Sequence, residues 1–281
     1  MKPIIVAVDF TERARNAAYY AADMALAMEA DLHVFHAVPL PLTPADLPLG
    51  AVFDDVMKTA VRTLDSWAED LRQLTKNQVT VTTVLEVGGL PFRLEEVCGR
   101  IKPFLVVMGG PGDPYSRMLA GDGSLYVVRH LAVPVLVVPP GVGFHAIRKV
   151  AIACELAELR DGMPVSQAFL EDIQRLFSAH FDILNVRTEK RHSYDNERFE
   201  LYHWKESLDD LTPALHFLEA GTVEEGITQY IKDQHVDWLM VFPRRHGLLE
   251  FHRSRSKRIV LQCPVPVLSI CEPAFVRSRQ H

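Results

Sequence analysis

The sequence predicts an α/β chain built as two tandem, doubly wound domains, each with a five-stranded parallel sheet flanked by helices. Three observations carry this. Short continuous apolar runs alternate with amphipathic stretches along all 281 residues. The alternation implies parallel strands joined by right-handed crossovers, with helices on both faces. The chain is also written twice: Val84–Gly110 and Phe217–Pro243 both run apolar-Leu-Glu-x-Gly, then an amphipathic stretch, then a short apolar run. Finally, the length suits about two domains. The two halves close alike, on Val133-Pro134-Val135-Leu136 and Val265-Pro266-Val267-Leu268. They also open alike, since Ile4–Val8 and Val150–Cys154 each precede an acid, Asp9 or Glu155. Pro139-Pro140-Gly141-Val142-Gly143 reads as the linker, which divides the chain into domains 1–141 and 145–281.

The elements follow in order. Pro3–Val8 is a strand buried on both faces, because its apolar run does not alternate. Thr11 is placed to cap a helix running to Met28. Asp31–Val38 is a second strand, and Ala45–Lys76 is mostly helical after a Pro-rich approach. Val79–Val87, rich in Val and Thr, is a third strand. Pro91 suits the first turn of the next helix. Phe104–Met108 and Val133–Val138 are the fourth and fifth strands, with helix Leu119–Leu131 between them. In the second half the strands are Val150–Cys154, Phe181–Val186, Ala214–Glu219, Trp238–Phe242 and Val265–Ile270.

Composition narrows the function. Net charge is -6, a poor match to nucleic acid or an anionic membrane. No apolar run reaches the roughly 18 residues needed to span a bilayer. The N-terminus lacks a signal-peptide pattern. The four cysteines form no C-x-x-C pair and suit a reducing cytoplasm. His33 and His36 fall on opposite faces of a strand, so they do not chelate together. His246 and His252 lack metal-ligand spacing. No Gly-x-Ser-x-Gly elbow is present, and no catalytic constellation stands out.

In a parallel sheet of this kind ligands sit beyond the C-terminal strand ends. The informative stretch there is Met108-Gly109-Gly110-Pro111-Gly112, followed after eight residues by Gly121-Asp122-Gly123-Ser124. Glycines let backbone N–H groups approach phosphate oxygens, and a helix N-terminus adds free donors. The same glycines also suit a connection that merely needs unusual backbone angles. The loop is neither a Walker A sequence nor the dinucleotide fingerprint.

With Val8-Asp9-Phe10-Thr11, His36-Ala37-Val38, Met108-Gly109-x-x-Gly112, Ser116–Gly121, Val127-Val128-Arg129-His130 and Pro134–Val138, the sequence resembles the universal stress protein family, over the whole chain as two copies. The resemblance implies the strand order 3-2-1-4-5 in each domain. It also implies an adenine nucleotide (ATP, ADP or AMP, with or without Mg²⁺) bound by the first domain in a sensing or regulatory role. Asp9 would contact ribose or adenine. Ala7 and Ala37 would supply backbone around the base. Met108, Gly109, Gly112, Gly121, Gly123 and Ser124 would line the phosphates, with the loop Gly109–Ser124 ordered by the ligand. The alternative for Asp9 is a helix N-cap or a loop carboxylate. Nucleotide-binding members of the family space the last glycine nine residues on, before Ser or Thr. Here either Gly121 takes that place, with Asp122 in place of the hydroxyl residue, or Gly123-Ser124 does. The first register sets a carboxylate near the phosphates, which favours a shorter phosphate chain. The resemblance also implies an intramolecular pseudo-dimer, with Val133–Val138 and Val265–Ile270 as edge candidates for pairing and further homodimerisation open.

The second half replaces the glycines with Phe242-Pro243-Arg244-Arg245-His246-Gly247 and Arg253–Arg258. It is expected to be a degenerate domain. The basic stretch Arg244–Arg258 reads either as a protein-partner contact or as a solvated helix face. His192–Trp204 reads as a cover over the second domain or as the start of a helix. An interaction scaffold without nucleotide and an adenine-nucleotide-dependent enzyme, with slow ATP hydrolysis at most, remain as rival functions.

Overall fold

The structure is a computed structural model and describes residues 3–40, 49–110, 122–153, 167–188, 208, 211–243, 259 and 262–271. The chain divides into two compact units, Met1–Phe144 and His145–His281. Each is a parallel α/β sheet.

In the first unit the described elements are β1 (Ile4–Ala7), α1 (Glu12–Met28), β2 (Leu32–Val38), α2 (Leu49–Leu74), β3 (Val81–Val87), α3 (Leu90–Ile101), β4 (Val106–Gly109), α4 (Asp122–His130) and β5 (Val135–Val138). The strands run in the order β3-β2-β1-β4-β5, all pairs parallel. β1 is buried along its length, and Ile4, Ile5 and Val6 have no accessible surface. That is the result expected when helices cover both faces of a continuous apolar run. Thr11 caps α1, its Oγ1 accepting from the Ala14 N–H at 3.3 Å. The buried face of α1 is mostly alanine, with Tyr20, Met24 and Met28, so the helix lies close to the sheet. Asn16 on the same helix donates to the carbonyls of Pro139 and Val142 at 3.2 and 3.1 Å. Tyr20 meets the ring of Phe144 edge-on at 5.3 Å.

In the second unit the elements are β6 (Lys149–Ala153), α5 (Gln167–Phe177), β7 (His180–Arg187), β8 (Ala214–Glu219), α6 (Val223–Gln234), β9 (Trp238–Val241) and β10 (Val267–Ser269). Their pairings give β8-β7-β6-β9-β10, the order of the first unit repeated. α3 and α6 are matching twelve-residue crossover helices. Each ends on a non-glycine residue in the left-handed region, Lys102 (φ 53°) and His235 (φ 50°). Their starts differ: α6 has a full capping box between Thr222 and Glu225, whereas Gly89 caps α3 without a side-chain bond.

Several strands start later than the apolar runs predict, whereas β7 runs one residue further at each end. β4 begins at Val106 rather than Phe104, and β5 at Val135 rather than Val133. Pro134 has no N–H to give the ladder and contributes only its carbonyl, to Val106 N at 2.9 Å. The expected helical stretches 45–48 and 119–121, the span 192–204 and the basic stretch 244–258 lie outside the described residues.

Candidate nucleotide site at the switch point of the first sheet

In the order β3-β2-β1-β4-β5 the chain leaves β1 toward β2 on one side, while β4 lies on the other. The crevice beyond the C-terminal ends of β1 and β4 is therefore the point where ligands bind in open α/β sheets. Ala7 ends β1, buried, in register with Phe35 and Met108. Met108 is buried in β4, and Gly109 ends that strand opposite Val138. Asp9 stands two residues past β1 with its carboxylate 58% exposed. These four residues come together at the crevice. Ala37 lies one strand out, on β2 against Glu86 of β3. Gly123 and Ser124 fall in the first turn of α4. Gly112 and Gly121 lie outside the described residues.

Asp9 is held from two sides. Its Oδ1 accepts from the N–H of Thr11 at 3.1 Å and from the Thr11 hydroxyl. Its Oδ2 faces the Arg13 guanidinium at 3.5 Å. The carboxylate braces the turn that starts α1, and the hydroxyl of Thr11, not the carboxylate, caps the helix.

Gly109 has a packing role of its own. A Cβ on it would lie 2.7 Å from the carbonyl oxygen of Arg13 and 3.1 Å from the amide nitrogen of Ala14. Both are backbone atoms of the first turn of α1. The glycine therefore lets the N-terminal turn of α1 rest on the end of β4. This requirement exists without any ligand.

An aromatic group on the β2 side escaped the sequence reading. Phe10 has φ 60°, a strained backbone for an aromatic residue. Its ring lies 4.2 Å from that of His36 and edge-on to Trp67 at 5.6 Å. His36 Nδ1 is 2.7 Å from the carbonyl oxygen of Val8. A carbonyl only accepts, so Nδ1 carries the proton. Arg15 stacks its guanidinium over Trp67 at 5.0 Å. One signal for this corner was legible: Arg13 and Arg15 are cations in the first turn of a helix, where the helix dipole disfavours them. His33 and His36 do point from one strand to different surroundings. Nδ1 of His33 is buried without a hydrogen-bond partner, and burial lowers the pKa of the ring.

The second unit carries a different polar cluster. Buried Asp182 on β7 accepts from the Tyr230 hydroxyl at 3.0 Å and lies 3.7 Å from Lys149 Nζ. His216 Nε2 is 3.4 Å from the same carboxylate, without hydrogen-bond alignment. Burial, then the bond to Asp182, pushes the Tyr230 phenol well above its ordinary range. Lys149, Asp182 and His216 sit in the first half of their strands, away from the ligand-binding ends, and Tyr230 reaches Asp182 from α6. Register also fixes what stands at the position of Gly109. Matching the Val-Pro-Val-Leu segments through β5 and β10 aligns Gly109 with Phe242, which is buried. Among the described residues no group of three His, Cys, Asp or Glu is arranged to hold a metal ion. No helix among them is long and apolar enough to cross a membrane.

Fold and strand order together define a tandem pair of doubly wound α/β domains, the first with its switch point between β1 and β4. Residues 1–139 match the model of the universal stress protein family. The N-terminal unit belongs to that family. Among solved structures, a universal stress protein from Archaeoglobus fulgidus DSM 4304 aligns over 97% of this chain and 99% of its own, at 14% identity and TM-score 0.74. A functionally unknown protein from Pseudomonas aeruginosa PAO1 aligns over 97% of this chain and 93% of its own, at 15% identity and TM-score 0.59. At such identities the likeness is one of fold, and it runs through both units. A universal stress protein solved in complex with cAMP aligns over 50% of this chain and 98% of its own, at 18% identity and TM-score 0.37. No curated protein matches the chain.

Proposed function

We propose that the N-terminal unit binds an adenine nucleotide (ATP, ADP or AMP) in the crevice between β1 and β4, and that the chain acts as a stress sensor or regulator. One observation carries the reading. An exposed carboxylate, Asp9, and a strand-ending glycine, Gly109, flank the point where the strand order reverses, joined by the first turn of α1. Asp9 would accept from the ribose hydroxyls, and the backbone at Ala7 and Ala37 would border the base. Met108, Gly109, Gly112, Gly121, Gly123 and Ser124 would lie along the phosphates. Mg²⁺, if present, would be held mainly by the phosphates. Binding shifts the population of conformations around the crevice rather than driving a reaction.

The second unit is a degenerate domain in this proposal. The buried Phe242 at the position of Gly109 supports it. The chain would work in the reducing cytoplasm. In support, Cys98 and Cys263 are free thiols, and burial pushes them up to about 12 and about 11, away from redox chemistry.

Calorimetric titration with ATP, ADP and AMP, each with and without Mg²⁺, tests the proposal. One site per chain is expected. Two equivalent sites would refute the degenerate second unit. No binding of any nucleotide would favour the scaffold reading, which the ligand-independent packing role of Gly109 also supports.

A further inference from the structure

The sequence places a cation where the helix dipole disfavours it, in the first turn of α1. Two such residues occur there, and the structure separates them. The guanidinium of Arg15 lies over the Trp67 ring. Arg13 instead reaches back to Asp9 Oδ2 at 3.5 Å, with its side chain 30% exposed. An exposed pair of this kind contributes little to stability. Packing does not require the Arg13 side chain either, because the contact with the end of β4 is made by its backbone carbonyl.

Arg13 thus touches both walls of the crevice. Its backbone rests against Gly109 at the end of β4, and its guanidinium meets the carboxylate that follows β1. The two Asp9 oxygens differ in consequence. Oδ1 is committed to the turn through Thr11. Oδ2 has a partner that can be exchanged.

The geometry points to Arg13 as the residue that reads the charge of the bound nucleotide: a phosphate group takes its guanidinium from Asp9, and the freed Oδ2 accepts a ribose hydroxyl. This rests on the nucleotide reading above and adds how affinity depends on phosphate number. A guanidinium binds phosphate through paired N–H donors, so each added phosphate charge strengthens the contact. The exchange also leaves neither Asp9 nor Arg13 uncompensated when the ligand is in place.

The test is calorimetric titration of the full chain with ATP, ADP, AMP and adenosine, comparing the wild type with Arg13→Gln and Arg13→Lys. In Arg13→Gln, ATP affinity should fall about tenfold or more and AMP affinity less, with adenosine held within about twofold. Arg13→Lys should recover part of the ATP loss. The salt dependence of ATP binding should become shallower in Arg13→Gln. Thermal unfolding of both variants should match the wild type. If the wild type binds ATP and Arg13→Gln binds it equally well, Arg13 does not read the ligand, and the nucleotide reading survives. If Arg13→Gln weakens adenosine as much as ATP, Arg13 has only a structural role and the inference fails. If the wild type binds none of the four, the nucleotide reading itself falls and takes this inference with it.

Discussion

The same strand order occurs twice in this chain, and the two copies differ at one decisive position. Where β4 ends in Gly109, the matching place after β9 holds buried Phe242. In the first unit the missing Cβ lets the first turn of α1 touch the strand end, so carboxylate, helix start and strand end meet in one crevice. A phenylalanine there cannot coexist with that approach. The second unit places its buried polar chemistry elsewhere, around Asp182, Tyr230 and His216 on β7, α6 and β8. A fold can therefore be copied faithfully while the packing at one strand end differs through a single side chain.

Converting the first unit toward the second should have the largest effect. Gly109→Phe drives a side chain into the carbonyl of Arg13 and should cost about 3 kcal/mol or more in chemical denaturation. A result under about 1 kcal/mol would mean that α1 can retreat from β4 at little cost. Because this loss needs no ligand, a bulky residue at 109 does not by itself separate a nucleotide sensor from a scaffold. Next comes the polar cluster of the second unit. Tyr230→Phe removes the one hydroxyl donor to buried Asp182 seen among the described residues and should cost about 1–3 kcal/mol. The loss should appear in the unfolding of the second unit and leave nucleotide titrations unchanged.

The helix caps give a smaller contrast. Thr222→Ala removes the hydroxyl that accepts from the Glu225 N–H, leaves the backbone N–H of residue 222 to donate to the Glu225 carboxylate, and should cost about 1 kcal/mol. Replacing Gly89 by Ala at the matching start of α3 should cost less, since no side chain caps there. Equal losses would mean that the capping box adds nothing. The smallest effect concerns pH. Burial holds the His33 pKa below its ordinary 6.5, despite the opposing pull of Asp31. The unfolded chain then binds the proton more readily than the folded one. The stability tied to neutral His33 is fully present above pH 6.5 and declines as the pH falls below it. Denaturation midpoints of wild type and His33→Asn should converge as the pH drops from 7.5 to 5.5. A constant gap would show that His33 does not contribute to the acid sensitivity.

Local physics made much of the fold legible. Thr11 was identifiable as a cap because a hydroxyl before an alanine-rich amphipathic run has few other roles. β1 was evident from five consecutive apolar residues, and β8 matched its expected limits, Ala214–Glu219. What escaped depends on contacts between distant residues. Nothing local marks Phe10 for a left-handed backbone, since its compensation comes from His36 and Trp67. The partnership of Asp182 with Tyr230 spans two elements and leaves no spacing to read. Gly109 was visible as a glycine beside a strand, but its reason lies in the carbonyl of Arg13 across the sheet. Of the candidate site, the β1 and β4 residues converge as their strand positions dictate, while Ala37 sits a strand further out because β2 lies beyond β1.

The two hydrogen bonds from Asn16 have a practical consequence for dissecting the molecule. They tie the carbonyls of Pro139 and Val142 to α1, and Tyr20 holds Phe144 a little further along. The chain after β5 is thus stitched down for several residues before it is released. An isolated first half that stops after Gly141 would lose one of these stitches and an aromatic contact. One that continues through Phe144 keeps its hem intact, with both Asn16 bonds and the Tyr20 contact in place.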